Sequence, residues 1–387
     1  PWVVIPVPVR FRSAALIKNK RNVVKSTFLL FFVLEEYACF VLNQLSLKIM
    51  FCSLPGFCES CIIITEKQIE VIKMEKIKKM KIKTVAVLGA GAVGSYVLWG
   101  LSGREDIRLG VIAEGERAQR LKKGCMINGE IYHPEVWTPQ EAKGTDLLIV
   151  SLKYGALTGA MDSIRQVTGE NTTVMSLMNG VDSEELISAE IGASHVIYSV
   201  IKVASHKEGN GYCFNPETTI GIIFGEPCAP YDSERVQAIE ALFADTGLHY
   251  RSTEYIKEEM WSKFRLNVCN NLPQAILGAG VGCYQDSVHM KAISNGLGRE
   301  LEAIAAAKGI DISKAAASSS HGSAVPPSAR YSTLQDLDAR RHTEIDMFSG
   351  ALVRMGRELG IPTPYNEYTY HIIKALEEKN DGKFDYN

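Results

Sequence analysis

Apolar and polar positions fall into distinct regimes along this chain. From Val85 to about residue 180, short β-rich apolar runs recur with helix-length segments between them: Val85–Leu88, 107–113 (IRLGVIA), 146–153 (DLLIVSLK) and 172–180 (TTVMSLMNG). Strands alternating with helices in this way predict a parallel, doubly wound α/β sheet, with its ligand at the carboxyl ends of the strands. After TGLHYRSTEYIKEEMWSKF the β-rich pattern stops. Residues 256–380 then repeat at helical period, interrupted by loops at Gly278–Gly282 and 318–328. A domain boundary is expected near residue 255, with an all-helical domain over 256–387.

One helical stretch of that second half is unusual. WSKFRLNVCNN places Lys263, Asn267 and Asn271 four residues apart among Phe264, Leu266, Val268 and Leu272. At about 100° per residue these three positions stay within roughly 80° of arc, so a regular helix lines their polar heads into one stripe. Either the stripe is a solvated face with incidental amides, or it faces a polar partner.

The first residues form a separate regime. The run STFLLFFVLEEYACFVLNQLSL (26–47) is apolar but broken by Glu35 and Glu36, which interrupts any uncharged span of bilayer length. It also lies too far from the start for a secretory signal, and no small-residue cleavage site follows. MEKIKKMKIK, with Met74 and Met80, then precedes the first strong strand. Residues 1–79 are read as a leader outside the working protein, non-native or disordered.

Composition changes this picture in two ways. With 387 residues, 46% hydrophobic and 22% charged, the chain is ordinary for a globular protein of one large or two medium domains. Its net charge of −2 is uneven, because residues 84–387 carry 28 Lys/Arg against 38 Asp/Glu. An acidic body argues against nucleic acid or an anionic membrane surface as partner. Cys58-Glu-Ser-Cys61 has no second ligand pair at metal spacing, so no metal is expected. Cys125, Cys213, Cys228, Cys269 and Cys283 lie scattered in apolar surroundings, which suits reduced thiols in the cytoplasm.

The candidate chemistry begins at KTVAVLGAGAVGSYVLWGL. Gly89-Ala90-Gly91-Ala92-Val93-Gly94 is a G-x-G-x-x-G fingerprint between a strand and a helix, the context of a Rossmann dinucleotide site. Gly89 permits the tight turn, Gly91 lets backbone approach a pyrophosphate, and Gly94 allows close packing of helix on strand. At the tip of the second strand an acid favours NAD and a nearby base favours NADP. Glu114 is followed there by Arg117, Arg120, Lys122 and Lys123, which leaves both readings open. Lys153 and Asn179 end the third and fourth strands, where ligand binds. In YSTLQDLDARRHTEIDMFSGAL, Ser332 or Thr333 is placed to cap a helix. Glu344 precedes the apolar run IDMFSGAL, where a carboxylate needs a partner.

The glycine motif, LLIVSLK, MNG, WSKFRLNVCNN and STLQDLDARRHTEID, in this order over about residues 80–380, resemble ketopantoate reductase (2-dehydropantoate 2-reductase). The resemblance implies reduction of 2-dehydropantoate to pantoate with NADPH, on the route to pantothenate. It implies Lys263 as catalytic lysine, Asn267, Asn271, Ser332 and Glu344 around the substrate, and Lys153 and Asn179 beside cofactor and substrate. Where the family often has a basic residue at the tip of the second strand, this chain has Glu114; NADPH is still expected, held by Arg117 or a nearby lysine. The chemistry agrees with these roles: a ketone accepting hydride becomes an alkoxide that needs a proton, and a lysine ammonium supplies one. Glu344 is expected to accept from a substrate hydroxyl or fix the lysine, making Lys263 and Glu344 a catalytic pair from separate helical segments. A homodimer is a further possibility. The competing readings are a reductase of another small 2-keto acid and a nucleotide-binding module without turnover.

Overall fold

The computed structural model describes residues 80–316 and 325–386. The leader over 1–79 and most of the expected loop at 318–328 fall outside them. The described residues belong to one compact unit, Ile77–Asn387.

The chain enters its core at β1 (Thr84–Leu88), whose alternation sends Val85 and Val87 to one face of a sheet and Ala86 and Leu88 to the other. Period-2 alternation with both sets apolar is the mark of a strand buried on two faces. The chain continues through α1 (Ala92–Leu101), β2 (Arg108–Ile112), α2 (Gly115–Lys122), β3 (Cys125–Ile127), β4 (Glu130–Tyr132), β5 (Glu135–Trp137), β6 (Leu147–Val150), α3 (Leu157–Val167), β7 (Thr173–Ser176), α4 (Ser183–Ile191) and β8 (Val196–Lys202). It then forms the hairpin β9 (Ser205–Glu208) and β10 (Gly211–Phe214), followed by β11 (Gly221–Gly225), α5 (Glu234–Phe243) and β12 (Tyr250–Ser252).

Eight strands make the main sheet in the order β12-β11-β8-β7-β6-β1-β2-β5. β5, β2, β1, β6, β7 and β8 run parallel, as the alternation predicts. β11 and β12 depart from the expected all-parallel sheet, because β11 pairs antiparallel with β8 and β12 follows β11. The segment between β8 and β11 is spent on the β9–β10 hairpin rather than on a crossover helix, and a return without crossover gives an antiparallel neighbour. A second sheet, β4-β3-β10-β9, adds strands that the four-run reading did not contain. α1 and α5 cover one face of the main sheet through Tyr96, Leu101, Ile239 and Phe243, and α3 covers the other through Leu157 and Ile164.

No strand follows Ser252 among the described residues. Helices α6 (Ile256–Leu266), α7 (Leu272–Leu277), α8 (Cys283–Asp286), α9 (Val288–Ala307), α10 (Ser332–Asp338), α11 (Ser349–Leu359) and α12 (Pro364–Asn380) follow. Of these, α6, α7, α9, α11 and α12 contribute to a core around Trp261, Phe264, Leu297, Leu301, Phe348, Leu352 and Ile373, while α10 packs on α7 through Leu334, Leu337 and Ala275. The larger core also takes in Val200 of β8 and Ile223 of β11, so the helices sit on the strands at one side of the sheet. No helix of the described residues is long and apolar enough to cross a membrane.

The predicted regular stripe is corrected at its centre. Asn267–Asn271 forms a π-helical turn between α6 and α7. In an α-helix, positions four apart drift by about 40°. A wider turn takes more residues per revolution and opposes that drift, so Asn271 stays closer in file with Asn267; π-bulges of this kind recur at functional sites.

Candidate active site

The glycine loop has the shape its residues predict. Gly89 has φ +109°, and a Cβ there would meet the Ser151 carbonyl oxygen at 2.6 Å. Ser151 Oγ donates to the Gly89 carbonyl at 2.6 Å and ties the loop to the end of β6. A Cβ on Gly94 would lie 2.0 Å from the Gly89 carbonyl oxygen, so α1 can approach the loop only because Gly94 has none. A Cβ on Gly91 would meet nothing within 4 Å. Gly91 is also the N-cap of α1 and has no side chain to cap the helix. Free N–H groups at the start of an apolar helix, facing open space past a residue without Cβ, fit a dinucleotide pyrophosphate.

At the strand tips the structure brings three expected residues together. Lys263 of α6 donates from Nζ to Asn179 Oδ1 at 2.8 Å. The same amide donates from Nδ2 to Glu344 Oε2 at 3.2 Å, and Glu344 Oε1 accepts from the Tyr154 backbone N–H at 3.2 Å. Asn179, just past β7, therefore bridges the ammonium and the carboxylate. Burial pulls the Lys263 ammonium down to about 8, opposed by the Glu344 charge and assisted by Lys202. Asn271 is buried and donates to Asn267 Oδ1 at 3.3 Å, so the two amides of the π-turn are linked.

Glu344 does not come from a helix. It lies in the turn that leads into α11, where its backbone carbonyl accepts from Met347 N at 3.0 Å. A turn can aim a carboxylate back across the sheet edge in a direction that a helix packed by IDMFSGAL would not allow. Ser332 is the first residue of α10 and is exposed, and among the described residues no hydrogen bond ties it to the Lys263 cluster. α10 nonetheless packs against α7 and the π-turn. The expected cap is absent: Tyr331 occupies the N-cap without a side-chain bond, and the buried Thr333 hydroxyl has no partner.

Lys153 stands at the end of β6 as expected, but its Nζ pairs with Asp336 Oδ2 at 2.9 Å. Asp336 is buried on α10 and also accepts from Arg341, so one carboxylate holds two cations. Arg117 and Glu114 are exposed at the start of α2, beyond the tip of β2. Glu114 is the N-cap residue of α2 and makes no capping bond. Sequence reasoning missed Tyr154, Asp182, Arg354 and Asp336. Only Asp336 had an available signal, one helical turn after Ser332; the others become visible through contacts between segments far apart in the chain.

Two family models match this chain, "Ketopantoate reductase PanE/ApbA" over residues 85–223 and "Ketopantoate reductase PanE/ApbA C terminal" over residues 255–377. The chain is similar to a 2-dehydropantoate 2-reductase of Archaeoglobus fulgidus, 26% identical over 317 residues, covering 77% of this chain and 99% of that protein. Among solved structures it resembles a PanE/ApbA family ketopantoate reductase from Ralstonia eutropha, at 24% identity and TM-score 0.64, over 77% of this chain and 99% of the other. It also resembles a D-mandelate dehydrogenase in ternary complex with NADH and anilino(oxo)acetate, at 20% identity and TM-score 0.67, over the same shares.

Proposed function

The chain belongs to the ketopantoate reductase family, and on that premise we propose that it catalyses the NADPH-dependent reduction of 2-dehydropantoate to (R)-pantoate in pantothenate and coenzyme A biosynthesis. As a member it is a nicotinamide-dependent oxidoreductase. The observation that carries the reading is the chain Lys263–Asn179–Glu344, which joins the helical half to the loop after β7.

Gly89 to Gly94, with Ala90, Ala92 and Val93 between them, would hold the pyrophosphate, and Arg117 and Lys153 would reach the outer phosphates and the ribose. When bound, the nicotinamide supplies a hydride to the keto carbon. Lys263 then donates its proton to the carbonyl oxygen as negative charge grows there. An ammonium has three donors, so the one on Asn179 leaves others for the substrate. Burial that disfavours the charged lysine also favours the neutral product of that transfer, and a pKa near 8 lies close to working pH. Glu344 holds Asn179 in place, opposes the loss of charge on Lys263 before the reaction, and offers an acceptor to a substrate hydroxyl. Asn267, Asn271 and Ser332 would orient the oxygens of the keto acid.

The working unit comprises residues 80–255, which bind the dinucleotide, and 256–387, which bring the catalytic lysine, with 1–79 outside it. The free cysteines of the described residues suit the cytoplasm. A homodimer is in keeping with a Staphylococcus aureus neighbour described as a dimeric ketopantoate reductase. A second reading, reduction of a different small 2-keto acid, is favoured by the D-mandelate dehydrogenase likeness and by Glu114, which suits a ribose hydroxyl. The test is oxidation of NADPH and NADH with a panel of 2-keto acids. Highest kcat/KM on 2-dehydropantoate supports the first reading, another preferred acid supports the second, and tight dinucleotide binding without turnover would leave only a binding module.

A further inference from the structure

Arg354 of α11 reaches three chain segments at once. Its Nη1 donates to the Asp346 carbonyl at 3.2 Å, and its Nη2 donates to Tyr154 Oη at 3.1 Å and to Asp182 Oδ2 at 3.2 Å. Tyr154 Oη in turn donates to Asp182 Oδ2 at 2.8 Å. Each of these segments carries a member of the proposed site. Asp346 follows Glu344 in the same turn, Asp182 follows Asn179 after β7, and Tyr154 follows Lys153 and gives its own backbone N–H to Glu344. We propose that Arg354, Asp182 and Tyr154 form a positioning cluster that sets Glu344 and Asn179 against Lys263; the proposal rests on the reading of Lys263 as the proton donor.

The cluster is poorly explained as a device for stability. Asp182 is 9% exposed, and its Oδ1 is buried without a partner. A buried carboxylate with one oxygen unsatisfied is costly, and its cationic partner Arg354 is about half exposed, where an ion pair adds little to stability. What the cluster supplies is register between two loops that already touch: a Cβ on Gly180 would lie 2.6 Å from Met347 Cγ, so the Asn179 loop and the Glu344 turn sit directly on one another. Arg354 bonds across that seam from a rigid helix. Tyr154 has a single hydroxyl proton, which it gives to Asp182, so its oxygen is free to accept from Arg354. Burial, and after it the Asp182 charge, push this phenol to about 12, so Tyr154 keeps its proton across the assay range.

The consequence appears at Lys263. The groups that act on its charge are Glu344, which favours the ammonium, and Lys202, which opposes it together with burial. Lys202 pairs with Glu259 at 2.9 Å, whereas Arg354 bonds to Asp346, Tyr154 and Asp182. Loosening Glu344 should therefore lower the pKa of Lys263, while the glycine loop keeps its own tie from Ser151.

The experiment uses the full chain with Arg354→Gln, Arg354→Lys and Tyr154→Phe, and Lys263→Ala as reference. It measures kcat and KM across pH, NADPH affinity by fluorescence titration, and melting temperature. Arg354→Gln should lower kcat by roughly 10- to 100-fold, the scale of a misplaced catalytic group. It should also move the basic limb of the profile to lower pH and leave NADPH affinity unchanged. Arg354→Lys should recover part of the loss, because a single cation can still pair with Asp182. Tyr154→Phe keeps the backbone bond to Glu344 and should shift the limb in the same direction by less, which decides the matter if Arg354→Gln does not fold. A lower melting temperature with wild-type kcat and an unmoved limb in Arg354→Gln and Tyr154→Phe overturns the cluster as a positioning device while Lys263→Ala remains inactive. Wild-type turnover by Lys263→Ala would overturn the proton-donor reading and this proposal with it.

Discussion

Replacing Lys263 by methionine keeps the length of the side chain and removes its charge, which separates what the ammonium does for catalysis from what it costs the fold. In the native protein burial brings the lysine from 10.5 to about 8. At about 1.36 kcal/mol per pKa unit, that shift corresponds to a penalty of about 3 kcal/mol for carrying the charged form. The sign follows from proton counts. Below pH 8 both folded and unfolded lysine are charged and the penalty is fully present; between pH 8 and 10.5 the unfolded chain binds more protons than the folded one, so stability rises with pH until the penalty is gone. Lys263→Met lacks this rise. Methionine also leaves Asn179 Oδ1 without its donor, at a cost of about 1–3 kcal/mol, so the variant should lie within about 2 kcal/mol of wild type at pH 7. Its kcat should fall by about 10²–10⁴, the usual scale of general acid catalysis. The assay is denaturant unfolding of both proteins between pH 7 and 10, beside kcat and kcat/KM over the same range. Wild-type kcat/KM should decline above pH 8 as the donor deprotonates. Parallel stability curves for the two proteins would refute the buried-ammonium argument, and near-wild-type turnover by the variant would refute the proton donor.

Glu344→Ala should raise KM for the keto acid and lower kcat together, because it removes a substrate acceptor and unpins Asn179 Nδ2; steady-state kinetics beside NADPH titration measure both. Arg117→Ala should weaken NADPH by up to about tenfold and leave NADH unchanged, since a phosphate contact on an exposed helix is worth about 1 kcal/mol; equal loss for both cofactors would assign Arg117 another role. Gly94→Ala should abolish dinucleotide binding or folding, because its Cβ would sit 2.0 Å from the Gly89 carbonyl oxygen, and circular dichroism with a cofactor titration distinguishes the two outcomes.

Local chemistry alone determined the glycine loop and the strands around it. A residue with φ +109° must be glycine or strained, and an apolar run that alternates over Thr84–Leu88 has one way to be buried on both faces. The helical second half and the row of Lys263, Asn267 and Asn271 were legible for the same reason, since backbone periodicity is set within a few residues. What the residues do to one another was decided elsewhere. Lys263 meets Asn179 across 84 positions, and Asn179 meets Glu344 across 165. Glu344 left the helix expected for it because the turn before Ser349 aims it back at the strand tips. Lys153 is paired to Asp336 of α10, and Arg354 to Asp182, through partners that periodicity cannot specify. The π-turn and the antiparallel pair β8–β11 belong to the same class: neither follows from local periodicity, the first lying within the helical core and the second following from a return that has a hairpin in place of a crossover helix.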